Sequence, residues 1–289
     1  MSTAGSQLRE ATSPTAAVLR VGCVSFLNAR PLIEGLDADN CQPPVELSLD
    51  VPSCLLADLE AGRTDVALCP VIDFYRSRVP LQIVPVGGIA SLGTTLTVKL
   101  CSGVPIDSIE RIYADTDSHT SVALVQIVLA ERYGIRPQVI AYNAREQTAM
   151  GRWVDRSEAV LLIGDKVVAA DTPSYPYELD LGQAWHELAN LPFVFAVWMS
   201  RRGTALGELP QILTARRIAN ARHLDAIVRK HAAAHGWPQP LAARYLKDIL
   251  KYEIGPTQLQ AIEVFATKAH RLGLIGQLEP MAVYAKPVT

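Results

Sequence analysis

The stretch LRVGCVSFLNARPL, residues 19–32, decides the fold. Its first six residues are apolar apart from Arg20 and partly β-branched, which predicts a strand. A turn, Ser25 to Arg30, follows, and Pro31 then suits the first turn of a short helix reaching Leu36, because its missing N–H is not needed there. Residues 45–49 read as a second strand. Ser53 is a candidate N-cap for a helix over 54–61, with Gly62 as its stop. Residues 65–69 form a compact apolar run ended by Pro70. Strand, helix, strand, helix, strand in this order predicts a parallel sheet with right-handed crossovers.

Working outward, strands are expected over 81–86 and 95–101, joined by a flexible loop at 87–94. A strand at 111–114 turns through Asp115–Ser118 into a helix over 120–133, closed by Gly134. Residues 158–163 are a further strand, followed by Gly164, Asp165 and a short helix. Residues 193–199 are an apolar strand, read as a return crossing, with Phe193, Phe195 and Trp198 in the core. One long amphipathic helix is expected over 206–235, a second over 241–251 and a third over 256–272 before Gly273.

A lobe that begins, is interrupted and resumes defines an α/β fold of two lobes with mixed sheets, of the periplasmic-binding type II kind. A ligand cleft then lies between the lobes. The expected division is 19–98 with 199–289 for the first lobe and 99–198 for the inserted second. Residues 1–18 are read as a disordered leader lacking the apolar centre of a secretory signal.

Composition narrows the function. Hydrophobic residues at 49% allow a sizeable core, and a net charge of −2 excludes the basic surplus of a nucleic-acid binder. No apolar run reaches the roughly 20 residues of a membrane span. The five cysteines, Cys23, Cys41, Cys54, Cys69 and Cys101, are odd in number and lack zinc or redox spacing. Reduced thiols and no export signal predict a cytoplasmic protein. His231 and His235 have a metal-like spacing but no third ligand, which favours an exposed helix end and no metal. Nothing sets the oligomeric state.

Four constellations could carry chemistry. In the first, Ser25 and Asn28 offer neutral hydrogen bonds and Arg30 a forked cationic donor for a carboxylate, unless Ser25 and Asn28 only shape the turn. In the second, Ser118, His119, Thr120 and Ser121 crowd a helix N-terminus, a ready anion site, where ordinary capping needs one hydroxyl. In the third, Ser91 and Gly93 lie on a loop that could approach a ligand or be plain. In the fourth, Asp165 ends a buried strand and could bind a substrate hydroxyl or cap the next helix.

These motifs resemble those of chorismate dehydratase, of the futalosine route to menaquinone. The similarity runs through residues 21–32, 59–70, 88–93, 118–124, 180–185 and 191–198, and SFLNARPL at 25–32 is its most specific part. The sister enzyme of the same fold opens with a Ser-Pro-Cys-Pro-Asn-Asp string, absent here. The family often carries Arg where this chain has His119. The resemblance implies loss of water from chorismate, a dianion, to give 3-[(1-carboxyvinyl)oxy]benzoate without metal or cofactor. It implies that Asn28 bonds a developing charge, that residues 118–121 hold one carboxylate, and that Ser91 anchors the second carboxylate or its loop. Arg30 either faces the ligand or clamps its lobe. The base is the substrate's own carboxylate, Asp165 or His119. The rival reading is a non-catalytic binding protein for a small dicarboxylate. An effector domain of the same fold is disfavoured, since no helix-turn-helix pattern precedes Leu19.

Overall fold

The structure is a computed structural model and describes residues 18–37, 39–169 and 174–285. The expected leader, apart from Val18, lies outside them.

The first strand, β1 (Leu19–Val24), ends in a 3-10 turn, Leu27–Ala29, and helix α1 (Arg30–Ile33) with Pro31 in its first turn. Next come β2 (Val45–Asp50), α2 (Pro52–Glu60), β3 (Val66–Pro70), α3 (Asp73–Arg76) and β4 (Leu81–Ser91). A second series follows: β5 (Val98–Ser102), β6 (Arg111–Asp115), α4 (His119–Val128), β7 (Gln138–Tyr142) and α5 (Ala144–Ala149). It continues through β8 (Ala159–Ile163), α6 (Lys166–Ala169), β9 (Tyr177–Asp180) and α7 (Leu181–Ala189). The chain then returns along β10 (Phe193–Arg201) and ends in α8 (Leu209–Ala221), α9 (Leu224–His231), α10 (Gln239–Arg244), β11 (Leu250–Lys251) and α11 (Pro256–Arg271).

Two mixed sheets result. One has the order β11-β4-β10-β3-β1-β2, the other β7-β6-β8-β5-β9. In the first, β1 lies parallel to β2 and β3, as the opening pattern predicts, while β10 runs antiparallel to both β3 and β4. In the second, β6 is parallel to β7 and β8, and β5 is antiparallel to β8 and β9. The interior strands β3 and β8 are buried at every residue, which explains their unbroken apolar runs. Trp185, Phe193 and Phe265 meet edge to face, with Trp185 and Phe193 centroids 5.3 Å apart and Phe193 and Phe265 5.2 Å apart. This cluster ties α7 to β10 and α11. Phe193 and Trp198 are core, whereas Phe195 is half-buried.

Several expectations need correction. The supposed loop at 87–94 is strand as far as Ser91, because Gly88 pairs with Val197 across a bulged register. A Cβ on Gly88 would stand 2.6 Å from the Ala196 carbonyl, so only glycine permits the approach. The lobe change expected at 198/199 falls inside β10, all of which belongs to the first sheet, and Val98 belongs to the second. Helix α2 starts at Pro52 with Val51 as its N-cap, not Ser53. The long helix over 206–235 breaks after Ala221 and restarts behind His223. The helix over 241–251 gives way to a wide π turn, Tyr245–Ile249, and then to β11.

The break after Ala221 lets α9 meet the end of α1. Glu34 there takes bonds from Lys230 and from His231 Nε2, the latter at 2.7 Å, so His231 is not an exposed helix end. Burial alone would raise the Glu34 carboxyl, but the bonds from Lys230 and His231 outweigh it and hold the group below its ordinary value. A carboxyl depressed in the folded state stabilises the fold above its unfolded pKa of about 4.3, and the contribution is lost as pH falls through the folded value. We therefore expect the melting temperature of Glu34→Gln to fall less steeply than that of wild type between about pH 5 and 3. Parallel slopes would contradict this account of Glu34.

Candidate active site

A cleft opens between the two sheets. Its floor is apolar: Val24, Phe26, Pro52, Pro70, Ile89, Val98, Ile163, Phe195, Ala196 and Leu250. Its polar groups are Asn28, Thr95, Thr97, Ser118 and Ser121. None of the described residues along it carries an ionisable side chain.

Asn28 arrives at the carboxyl end of β1, on the 3-10 turn whose flanking Leu27 and Ala29 are fully buried. Its Oδ1 is buried and has no hydrogen-bond partner. The rest of its amide neighbours the Tyr245 hydroxyl, which bonds Thr97 Oγ1 at 2.8 Å. Burial pushes the Tyr245 phenol far up, so it stays protonated. Across the cleft, Ser118 caps α4. Its Oγ accepts from the Ser121 N–H at 3.2 Å, and its hydroxyl donates to Ser121 Oγ at 2.8 Å. The first-turn N–H groups of His119 and Thr120 have no carbonyl partner within a helix. A helix start of this kind favours an anion. Beneath it, Lys166 reaches Asp115 at 2.6 Å and Asp117 at 2.8 Å. Burial, the largest influence, pushes the Asp115 carboxyl above its ordinary value despite that lysine.

Arg30 is half-buried, and its Nε is enclosed without a partner. It forms no ion pair with any described residue. A half-buried guanidinium without a counter-charge is suited to a ligand carboxylate.

The structure thus brings Asn28, Ser118 and Ser121 together along the cleft. Of the other expected residues, Arg30 opens α1 two positions after Asn28, and the rest stand behind the cleft. Thr120 is buried and accepts the Ile72 N–H at 3.3 Å. His119 Nδ1 pairs with fully buried Asp73 at 2.8 Å, from the first sheet's side. Ser91 is fully buried and donates to the Gly93 carbonyl at 3.3 Å, so it cannot face a carboxylate from there. Gly93 sits at φ +87° and Ser25 is half-buried beside Asp50. Asp165 neither caps its helix nor faces the cleft. Its carboxylate takes the Leu27 N–H at 3.0 Å, His235 Nδ1 at 2.8 Å and the Trp237 indole N–H at 2.9 Å. His235 is therefore an internal partner, not an exposed helix end.

Sequence reading missed Thr95, Thr97 and Tyr245. The hydroxyl run at 94–97 was the available signal for the first two. Asp180 holds this segment, accepting from the N–H groups of Thr95 and Leu96, the latter at 2.9 Å. Leu96 has φ +66°, a conformation that persists only where surroundings impose it.

Among the described residues, no group of three or more His, Cys, Asp or Glu could hold a metal ion, and no helix is long and apolar enough to cross a membrane. The cysteines form no disulfide; burial pushes the Cys23 thiol up to about 12 and that of Cys101 up to about 11.

Two sheets with a cleft between them define a class, the periplasmic-binding type of α/β protein. A protein of Archaeoglobus fulgidus superposes with a TM-score of 0.65 at 15% identity, covering 89% of this chain and 98% of that one. The alkanesulfonate-binding protein of Xanthomonas axonopodis pv. citri, solved with MOPS, gives 0.62 at 16%, covering 92% and 96%. At such identities the likeness shows the fold alone. Within that class, residues 19–271 match the menaquinone biosynthesis family, and the chain belongs to it. A chorismate dehydratase of Thermus thermophilus is 30% identical over 168 residues, which is 53% of this chain. The chain spans 60% of that relative's length.

Proposed function

We propose that the chain is a chorismate dehydratase, converting chorismate to 3-[(1-carboxyvinyl)oxy]benzoate and water. The observation that carries this reading is Asn28, with its orphaned Oδ1, lining one cleft with a hydroxyl-rich helix start, in a chain of the menaquinone biosynthesis family. The Thermus relative bears the name of this activity.

Chorismate brings two carboxylates and one ring hydroxyl. The start of α4 receives one carboxylate on Ser118, Ser121 and free amides. Arg30 receives the other. Asn28 Oδ1 accepts from the ring hydroxyl and so fixes the C–O bond that must break. The C–H bond at the ether-bearing carbon breaks and its electron pair forms a double bond to the neighbouring carbon as the C–O bond there cleaves. The C–O pair stays on oxygen, which takes up the proton and leaves as water. With no ionisable side chain among the described cleft residues, the base is the substrate's own carboxylate. The remaining catalytic power comes from orientation and preorganised dipoles in a largely apolar cleft. The setting is the cytoplasm, in keeping with five cysteines free of disulfides.

The test is the ultraviolet spectrum of chorismate mixed with the purified protein alone. A benzenoid absorbance growing in proportion to protein concentration supports the reading, and an unchanged spectrum overturns it. Within it, Arg30→Met is expected to raise KM for chorismate by about 10- to 100-fold, the worth of one charged hydrogen bond, with kcat less affected. An unchanged KM with a lowered melting temperature would instead make Arg30 a clamp within its lobe.

A further inference from the structure

The carboxylate of Asp165 is largely taken up by protein donors. Three donors already occupy it, from Leu27, His235 and Trp237, of the roughly four lone-pair sites it has. All three donors come from outside the second sheet's series, whereas Asp165 follows β8 within it. The preceding Gly164, at φ +71°, makes the turn that aims it; a Cβ there would meet the Phe26 ring at 3.3 Å.

Two of the three bonds lead to Asn28. The Leu27 N–H belongs to the residue before Asn28 and enters the turn that carries it. The Trp237 ring stacks on Tyr245, with centroids 4.7 Å apart and planes within 15°. Tyr245 in turn stands against the Asn28 amide and bonds Thr97. One carboxylate therefore holds the backbone of Asn28 from one side and the aromatic backing of its side chain from the other. The π turn that begins at Tyr245 presents that ring, and such turns recur at functional sites.

We propose that Asp165 is a positioning residue for the dehydration, fixing Asn28 through the Leu27 amide and the stacked Trp237–Tyr245 pair. The proposal rests on the catalytic reading of Asn28. The same carboxylate also bonds His235, so it links the end of β8 to three residues outside the second sheet's series. A misplacement of about 1 Å is worth about 100-fold in rate.

The test has two independent readouts. For Asp165→Ala, kcat is expected to fall about 100-fold with KM within about 3-fold, and Asp165→Asn, which keeps one acceptor oxygen, should recover much of the loss. The Leu27 amide should exchange its hydrogen at least about 10-fold faster in Asp165→Ala, read by NMR on the folded protein. Should Asp165→Ala not fold, Trp237→Phe removes the indole donor to Asp165 while keeping a ring against Tyr245, and its kcat should fall about 10-fold at unchanged KM. A kcat loss under about 3-fold, or a loss expressed wholly in KM, overturns the proposal. If wild type does not act on chorismate, the dehydratase reading fails by itself. Leu27 exchange then still decides: unchanged protection overturns the role of Asp165, and lost protection upholds its grip on the turn.

Discussion

Asn28→Ala is expected to lower kcat on chorismate by about 100- to 1,000-fold while the protein stays folded, the range for losing one preorganised polar contact to a reacting group. The argument is local. Asn28 is the only amide among the described cleft residues, and its Oδ1 is enclosed without a partner. An enclosed, unpaired acceptor costs about 1–3 kcal/mol in the free protein. Removing it relieves that cost, so the variant should be no less stable than wild type beyond the small loss of packing. Activity and stability should therefore separate, which a structural role for Asn28 would not produce. Initial rates and a denaturant melt on the same preparation check both halves. Turnover at the wild-type rate would remove Asn28 from the chemistry.

Gly182→Ala should destabilise the protein by about 3 kcal/mol, through overpacking against groups that cannot yield. A Cβ at this second residue of α7 would lie 2.2 Å from Thr95 Cγ2, 2.6 Å from the Gly93 carbonyl and 3.0 Å from Ser91 Oγ. The neighbours cannot move freely, because Asp180 ties them to the same helix start. It accepts from Gly182 and Gln183 N–H on one side and from Thr95 and Leu96 N–H on the other. Displacing this segment shifts Thr95 and Thr97 in the cleft, so the rate should suffer even at temperatures where the variant is folded. Gly276→Ala, with nothing within 4 Å of its Cβ, is the control and should change stability by under about 0.5 kcal/mol. A Gly182→Ala midpoint equal to that of Gly276→Ala would refute the packing argument. This also explains Gly93 and Ser91, which the sequence suggested as ligand contacts. They are the packed underside of the segment that carries Thr95 and Thr97.

Where burial was complete, the sequence was a good guide. The bounds of β1 were readable because four of its six residues are buried and apolar. Gly134 and Gly273, both at positive φ, marked true helix ends. The missed strands β7 and β9 lie at the edges of their sheet and are partly exposed; β9 carries no apolar run and β7 only the short one at 139–142. The two-residue β11 exists only through its pairing with β4. Of the residues that short-range motifs single out, Asn28, Ser118 and Ser121 line the cleft. The partners of Asp165 were invisible, since Leu27 lies 138 positions away and His235 70. A lone aspartate after a buried strand looks the same whether it caps, binds or braces, and only the fold distinguishes them.

The most direct test of the central claim is a single-turnover experiment, with the protein in excess over chorismate and no other component, followed by mass spectrometry of the small molecules. The account predicts that chorismate is replaced by a species lighter by one water with a benzenoid spectrum. Chorismate recovered intact, while bound to the protein, would contradict it and leave a binding protein in place of an enzyme.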